Sequence, residues 1–284
     1  MSTKGRPERE LHRGAQREGS PVGQGAAATA PLLDVRGVTL QYKTPARLVT
    51  ATYRVDFEVQ AGERFVVLGP SGCGKSTLLK AIGGYLAPVE GELHLKGARI
   101  GKPGPDRMMV FQEFDQLLPW RTVLENVMFP LLASGRLAGA AADERARDYI
   151  AKVHLEEFVG SYPHMLSGGM KQRVAIARAM AMEPDILLMD EPFAALDAMT
   201  RRRMQDELLA LWEGTNLTMV FVTHSIAEAI RIGTRILLLT PHPGQVRAEL
   251  NSVPATADPH AIAALEARIH AMLFPDRADA AVLA

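Results

Sequence analysis

The chain has 284 residues, of which 47% are apolar and 23% are charged, and one of them is a cysteine. This composition is typical of an ordinary globular protein that buries a sizeable core, and a single thiol, Cys73, excludes a disulfide framework. The formal net charge of zero argues against a bulk electrostatic attraction to nucleic acid or to an acidic membrane.

The first 31 residues mix Gly, Ala, Ser, Gln, Glu and Arg without apolar periodicity. We therefore predict a disordered N-terminal arm over residues 1–31, with a targeting signal as the alternative to a plain leader. The arm lacks the hydrophobic core of a secretory signal, and no apolar run approaches the ~18 residues that a transmembrane helix needs. If the protein works at a membrane, we expect it to dock on other subunits.

Three segments that follow the arm carry the alternation of antiparallel strands: Leu32–Tyr42, Ala51–Val59 and Gly91–Gly97. Tyr42 stands at the end of the first of them. From its position alone, it is either a half-buried strand residue or an aromatic face on which a nucleotide base stacks.

A short apolar run, Phe65–Leu68, predicts a buried strand, and Leu78, Leu79 and Ile82 recur afterwards at helical spacing. The order of strand, glycine-rich loop and helix is the context that a phosphate-binding loop requires. The alternative, a tight glycine turn that binds nothing, explains neither the spacing nor the flanks. Cys73 either fills a loop position as a small residue or has a redox role. The loop residues are Gly69, Pro70, Ser71, Gly72, Cys73, Gly74, Lys75, Ser76 and Thr77.

The residue types of this loop suit a nucleoside triphosphate. Gly69, Gly72 and Gly74 are expected to take positive φ and to let the backbone approach phosphate oxygens. Successive N–H groups then form a concave nest, to which the new helix adds its positive end. Lys75 supplies a cation for the β- and γ-phosphates, and Ser76 supplies a hydroxyl for Mg²⁺.

The middle of the chain begins with a predicted strand, Met108–Phe111, that ends at Gln112. Gln112 is either a ligand of Mg²⁺ or of the attacking water, or a plain polar loop residue. An apolar cluster at Leu117–Trp120 looks exposed, and helical patterns then fill much of residues 121–159. We assign an inserted helical subdomain to about residues 113–168.

Ser167, Gly168 and Gly169 open the next predicted helix. A hydroxyl, two glycines and a positive helix end form a second anion-binding element, with a simple N-cap as the alternative. Two phosphate-binding elements in one chain raise the question of where the second one points.

A second buried strand, Ile186–Met189, ends in two carboxylates, Asp190 and Glu191. Because adjacent strand residues point to opposite sides, we expect one carboxylate to hold Mg²⁺ through water and the other to orient or deprotonate the attacking water. The alternative is a pair of acidic caps for the next helix. Another strand, Met219–Val222, leads to His224, which is placed either to donate toward the γ-phosphate or to serve as a structural hydrogen-bonding residue.

The remaining predicted elements frame these segments. A helix follows Asp197, and its basic run, Arg201–Arg203, is interpreted as a solvated face. A strand pair, Ile236–Leu239 and Gln245–Leu250, flanks a turn. Residues 251–284 are expected to form a C-terminal tail, with a helix from about Pro259 to Leu273.

Together these motifs resemble the ATP-binding subunit of an ABC transporter. The resemblance implies an α/β fold with a P-loop NTPase (RecA-like) core, an antiparallel β subdomain and an inserted α-helical subdomain over residues 32–250. The motifs stand in the family's order and are Walker A (Gly69–Thr77), the Q-loop (Gln112), the LSGGM signature (Leu166–Met170), Walker B (Ile186–Asp190) with Glu191, the D-loop (Ala194–Asp197) and the switch histidine (His224).

The resemblance implies a head-to-tail homodimer with two ATP molecules, in which the signature of one copy faces the ATP on the phosphate loop of the other. Ala194 departs from the serine that many relatives carry. In the implied roles, Tyr42 stacks adenine, Lys75 and the loop amides hold phosphates, Ser76, Gln112 and Asp190 serve Mg²⁺, Glu191 is the general base, His224 senses the γ-phosphate, and Ser167 and Gly169 close on the opposite ATP.

Within the family, Gln116–Val123 resembles importers of the nitrate, sulfonate and taurine group. The short separation from Gln112 to Ser167, and the end soon after Leu250, agree with that group. This resemblance implies an ATPase on the cytoplasmic face of the inner membrane that powers uptake of a small anionic solute. Its partners are two permease subunits and an extracytoplasmic solute-binding protein, without nucleic acid. Leu117–Trp120 then receives a permease, with ordinary packing as the alternative.

Four rival functions are open, of which two are other ABC ATPases and two belong to other classes. A non-transport ABC ATPase of DNA repair or translation needs long coiled coils or tandem cassettes. A P-loop kinase needs neither the signature nor His224, and a regulatory module that holds ATP without turnover does not need Glu191. An importer for a different small organic solute is a further alternative.

Overall fold

A computed structural model of the chain describes residues 30–43, 48–112, 116–254 and 257–274. The disorder predicted for the arm, apart from its last two residues, lies outside the described residues, as does the end of the C-terminal tail. The described elements, in chain order, are β1 (Leu33–Lys43), β2 (Leu48–Val59), β3 (Arg64–Leu68), α1 (Lys75–Ile82), β4 (Glu90–Leu95), β5 (Ala98–Arg99), β6 (Arg107–Val110), α2 (Val123–Ala133), α3 (Gly139–Lys152), α4 (Gly168–Met180), β7 (Ile186–Asp190), α5 (Ala198–Thr215), β8 (Thr218–Thr223), α6 (Ile226–Ile232), β9 (Arg235–Leu239), β10 (Val246–Asn251) and α7 (Pro259–Leu273).

Two sheets organise these elements. The first is antiparallel, has the order β2-β1-β4-β5, and confirms the antiparallel strands predicted before the phosphate loop and after α1. The second has the order β10-β9-β3-β8-β7-β6, in which all neighbours are parallel except β9 and β10. Since parallel strands collect ligands at their carboxyl ends, the loops after β3, β6, β7 and β8 meet at one edge.

The central strand β3 separates two hydrophobic cores. Phe65 and Val67 pack into the core shared with the antiparallel sheet, whereas Val66 and Leu68 face the core shared with the helices. Because successive side chains of a strand point to opposite faces, a continuous apolar run serves both cores. This burial on both sides fixes the position of the loop that follows β3.

The helices α2, α3 and α4 pack on one another, so the segment predicted as an inserted helical subdomain rests against α4. Thr122 begins α2 with a capping box, since its hydroxyl accepts from the Glu125 amide and the Glu125 carboxylate accepts from the Thr122 amide. Asn126 is fully buried and its amide nitrogen donates to three carbonyl oxygens, those of Leu118, Arg121 and Thr122.

The apolar cluster Leu117–Trp120 is only partly on the surface, which corrects the prediction that it is exposed. Leu117 is buried in the helical core, whereas Trp120 is 70% exposed. The cause is the turn held by Asn126, whose side-chain Oδ1 also accepts from the Leu118 amide at 2.8 Å. The turn directs one end of the cluster inward and the other outward.

A short helix, α6, was not predicted. Its first turn is capped by Ser225, whose hydroxyl accepts from the Glu228 amide at 3.3 Å. By contrast, α7 has the predicted bounds, and Ile269 and Leu273 join the helical core. None of the helices in the described ranges combines the length and the apolar character needed to cross a membrane.

Candidate functional site

The phosphate loop takes its shape from three glycines with two different requirements. Gly72 and Gly74 have φ of 80° and 94°, which is the left-handed region that glycine favours. Gly69 does not have positive φ, so the expectation for this residue was wrong. Glycine is required here because a larger residue would not fit. A Cβ would lie 2.8 Å from the Cys73 sulfur and 3.2 Å from the Leu239 carbonyl oxygen.

Lys75 is the first residue of α1 and is only 4% exposed. Its ammonium donates to the carbonyl oxygens of Gly69 at 2.9 Å and of Pro70 at 3.0 Å. It also lies 3.8 Å from Oε1 of Glu191. The loop therefore holds a shielded cation between its own backbone and the carboxylate that follows β7.

Ser76 and Asp190 meet beside this cation. The Ser76 hydroxyl donates to Oδ1 of Asp190 at 2.7 Å. Burial raises the pKa of Asp190, and the hydrogen bond from Ser76 opposes that rise. A hydroxyl and a carboxylate are oxygen donors of the kind that Mg²⁺ prefers, so this pair fits a hard divalent cation.

Glu191 leaves the strand geometry with φ of 44° while its amide donates to the Val222 carbonyl oxygen at 3.0 Å. This backbone is uncommon for a residue with a side chain. It also overturns the expectation that Asp190 and Glu191 point to opposite sides, since both carboxylates reach the first turn of α1. The next helix, α5, is capped by Asp197 instead, which excludes the alternative of two acidic helix caps.

His224 follows β8, and its Nδ1 lies 2.8 Å from Oε2 of Glu191. The carboxylate of Glu191 thus lies between the ammonium of Lys75 and the ring of His224. The parallel sheet brings these three residues together although they are far apart in sequence. An ammonium, a carboxylate and an imidazole in contact can bind an anion, move a proton and orient a small nucleophile.

Gln112 follows β6 at the same edge of the sheet and is exposed. Among the described residues, no hydrogen bond links it to the other predicted site residues. The segment around it is held by Gln116, whose amide nitrogen donates to the Phe111 carbonyl oxygen at 2.9 Å. Arg178 of α4 donates to the Gln116 carbonyl oxygen at 2.8 Å, and burial lowers the pKa of this arginine.

Tyr42 lies at the end of β1 and is 45% exposed. It pairs with Val49 of β2, two residues before Ala51. The Ala51 carbonyl oxygen would lie 2.5 Å from a Cβ at Gly74, so this part of β2 runs along the phosphate loop. The register therefore places an open aromatic side chain on the strand pair that borders the loop.

The signature residues form the start of α4. The hydroxyl of Ser167 accepts from the Met170 amide at 3.3 Å, which is the geometry of an N-cap. Ser167 is exposed, while Gly168 and Gly169 form the first turn. A Cβ at Gly169 would lie 3.4 Å from Thr200 and 3.9 Å from Leu196, so the signature adjoins the D-loop of its own chain.

Sequence reasoning missed Arg201, which was assigned to a solvated helix face. Its guanidinium donates to the Phe193 carbonyl oxygen at 3.2 Å and to the Leu196 carbonyl oxygen at 2.8 Å, and so holds the D-loop. Asp197 ends this loop, and its hydrogen bonds from the Thr200 and Met199 amides lower its pKa. No sequence pattern predicts a side chain that donates to the backbone carbonyl oxygens of the preceding loop. A small cleft is lined by Glu191, Ala194, Arg201, Thr223, His224, Ser225 and Glu228.

Comparison with known proteins gives the family. Residues 53–194, which are 142 of the 284, match the family model described as ABC transporter. The taurine import ATP-binding protein TauB of Rhizobium johnstonii is 48% identical over 205 residues, which cover 72% of this chain and 78% of that protein. The bicarbonate transport ATP-binding protein CmpD of Synechococcus elongatus is 40% identical over 239 residues, with coverages of 84% and 86%.

Among solved structures, a similar one is the dimeric post-hydrolysis state of the ATP-binding cassette MJ0796 bound to ADP and Pi. It superposes with a TM-score of 0.67 at 35% identity and covers 77% of this chain and 98% of that chain. The motif order, the sheet that joins the motifs and the extent of these matches lead to one conclusion. The chain belongs to the ATP-binding, ATP-hydrolysing subunits of ABC transporters.

Proposed function

We propose that this chain powers the import of a small solute by hydrolysing ATP at the edge formed by β3, β7 and β8. The observation that carries the proposal is the contact of Glu191 with both Lys75 and His224, next to the hydrogen bond between Ser76 and Asp190. Phosphoryl transfer depends on positioning and on charge neutralisation, and this group of side chains supplies both. Residues 32–250 form the ATP-binding domain, with residues 113–168 as its helical subdomain.

The chain's own residues divide the work. The amides of Gly69–Thr77 and the ammonium of Lys75 bind the phosphates, at the positive end of α1. Ser76 and Asp190, with Gln112, would hold Mg²⁺, which would neutralise phosphate charge. Tyr42 supplies an aromatic face for adenine, and its partial exposure supports that role.

Glu191 acts as the general base. It takes a proton from the attacking water and becomes neutral, while Lys75 stabilises the negative charge of the phosphates. His224 orients this carboxylate through Nδ1 and contacts the γ-phosphate. The hydrogen bond between Glu191 and His224 supports this arrangement, because the base needs a third group to fix its direction.

The second anion-binding element completes the site of a partner copy. Ser167, Gly168 and Gly169 are proposed to close on ATP held by the phosphate loop of the other subunit in a head-to-tail homodimer. The exposure of Ser167 supports this, as does the dimeric state of the MJ0796 cassette. Closure then moves the attached permease, and hydrolysis resets it.

The transport partners are two permease subunits and an extracytoplasmic solute-binding protein, and the chain works peripherally on the cytoplasmic face of the inner membrane. Trp120, which projects from the turn held by Asn126, supports a permease-docking role for this region. The proposed solute is a small molecule that carries an anionic group, since relatives at 48% and 40% identity are named for taurine and bicarbonate.

The test is replacement of Glu191 by Gln, which keeps the shape but removes the base. We expect ATP binding to persist and steady-state hydrolysis to fall at least about a hundredfold, the lower end of the effect of a general base. Hydrolysis without an added acceptor also separates an ATPase from a kinase. The matched control is Glu266→Gln on the exposed side of α7. Undiminished hydrolysis by Glu191→Gln contradicts the proposal.

A further inference from the structure

A buried polar cluster adjoins the segment that carries His224, and the proposed function gives it no role. It consists of Thr223 at the end of β8, Gln205 on α5 and Glu228 on α6, and Glu228 is only 8% exposed. Burying a carboxylate is costly unless hydrogen-bond donors satisfy it. Three separate elements therefore meet at one satisfied carboxylate.

The donors to this carboxylate have defined directions. The Gln205 amide nitrogen donates to Oε1 of Glu228 at 2.9 Å, and the Thr223 hydroxyl donates to Oε2. Because that hydroxyl has a single hydrogen, its lone pairs are left to accept, and the Ser225 amide donates to it at 3.0 Å. The hydrogen bond from Ser225 to Thr223 spans His224, so Glu228 fixes the backbone on both sides of the histidine.

The same face of α5 holds a second site loop. Arg201 and Gln205 are four residues apart and lie one above the other on the helix. Arg201 binds the D-loop carbonyls, while Gln205 binds Glu228. One helical face thus carries both the D-loop and the segment that presents His224.

Resting on the proposed roles of His224 and Glu191, we propose that Glu228 is a positioning residue that holds His224 against Glu191. Gln205 ties this carboxylate to α5, and Thr223 transmits its direction to the backbone of His224. If the cluster around Glu228 served stability alone, packed apolar residues would do as well, because they often replace buried charged groups without loss of stability. The hydrogen bonds from Gln205 and Thr223 to the two oxygens of Glu228 have fixed directions, which packed apolar residues would not supply.

The first test is Glu228→Gln in the full chain. This change keeps the volume and leaves no buried charge, but one carbonyl oxygen must now serve two donors, Gln205 and Thr223. We expect kcat to fall about tenfold with unchanged affinity for ATP. The exchange Glu228→Gln with Gln205→Glu restores one acceptor for each donor, and we expect it to recover most of kcat.

The second test is a double-mutant cycle with His224→Ala. If Glu228 acts through His224, Glu228→Gln has no further effect on kcat once the imidazole is gone. The control is Asp206→Asn, which breaks the exposed ion pair between Asp206 on α5 and Arg231 on α6, and we expect it to leave kcat unchanged. Gln205→Ala, which breaks the cluster from α5, is the second variant should Glu228→Gln melt below the assay temperature.

The outcomes are distinct. A fall in kcat, recovery by the exchange and non-additivity with His224→Ala support the positioning role. An unchanged kcat in Glu228→Gln or Gln205→Ala, or full additivity with His224→Ala, overturns it. A wild-type rate for His224→Ala contradicts the proposed function itself, which a slow His224→Ala enzyme does not.

Discussion

The thiol of Cys73 is fully buried within the phosphate loop, and burial raises its pKa above the ordinary value of 9.0. The charge of Lys75 opposes this rise without reversing it. Because the thiolate is the reactive form, a buried thiol with a raised pKa is protected at neutral pH. The structure therefore favours the interpretation of Cys73 as a small residue that fills the loop, over a redox role.

We predict that Cys73 in the folded chain reacts with iodoacetamide more slowly at pH 7 than an exposed cysteine does, because burial shields the thiol and raises its pKa, which lowers the thiolate fraction. A cysteine introduced by Ser134→Cys, at an exposed position after α2, gives the reference within the same molecule. Peptide mass spectrometry measures both rates. Equal rates for the two thiols in the folded chain contradict the prediction, and unfolding in urea is expected to remove the difference.

The residues of the site differ in how well their contacts can be predicted from the sequence. The predicted residues after the strands of one sheet come together at its edge, because these positions leave little freedom, although the direction of Glu191 relative to Asp190 was not predicted. They are Lys75, Ser76, Asp190, Glu191 and His224. Arg201 and Glu228 escaped prediction for a physical reason. Their partners are backbone carbonyls or side chains on other elements, and apolar periodicity carries no information about such contacts.

At the level of elements, α2 is organised by Asn126, which satisfies four backbone groups of the turn before the helix. We predict that Asn126→Ala lowers the free energy of unfolding by about 1–3 kcal/mol, the usual cost of leaving buried polar groups unsatisfied. The measurement is urea unfolding. Asn251→Ala on exposed β10 is the matched control, with an expected change within about 0.5 kcal/mol.

The Asn126→Ala variant also tests whether the turn fixes the position of Trp120. In a Trp212→Phe background, Trp120 is the remaining tryptophan, and a loosened turn is expected to lower its fluorescence anisotropy. An Asn126→Ala chain with wild-type stability and anisotropy shows that the turn is held by other contacts.

Most strands and the long helices were predictable because their apolar periods are strong, and α7 was located to the residue, whereas the two-residue strand β5 was not predicted. In contrast, α6 has seven residues, fewer than two full turns, so an apolar stripe has no room to repeat. The signal that identifies it is the capping pattern of Ser225 followed by Glu228. The turn at Glu191 was unpredictable because its left-handed backbone depends on a hydrogen bond to the neighbouring strand.

At the scale of the whole molecule, the proposed division of each site between two copies is testable. In a Glu191→Gln background, which we expect to retain ATP, we predict an ATP-dependent dimer that Ser167→Arg abolishes, because the larger cation blocks closure. Size-exclusion chromatography with and without ATP measures the dimer, and ATP binding by each monomer is measured separately.

Ala264→Arg on the exposed side of α7 adds the same charge away from the signature and is expected to leave dimerisation intact. If Ser167→Arg dimerises as readily as this control, the signature does not face the partner's phosphate loop.

The order of strands in the six-stranded sheet has a consequence for how much the segments between the motifs can vary in length. Along the chain the motifs follow β3, β6, β7 and β8, but side by side in space the strands run β3, β8, β7, β6. Neighbouring strands are spaced by about 4.8 Å, so the motifs span about 14 Å whatever length of chain connects them. The hydrogen bonds between neighbouring strands thus set the distances between the motifs. The connecting segments can become longer or shorter without changing those distances.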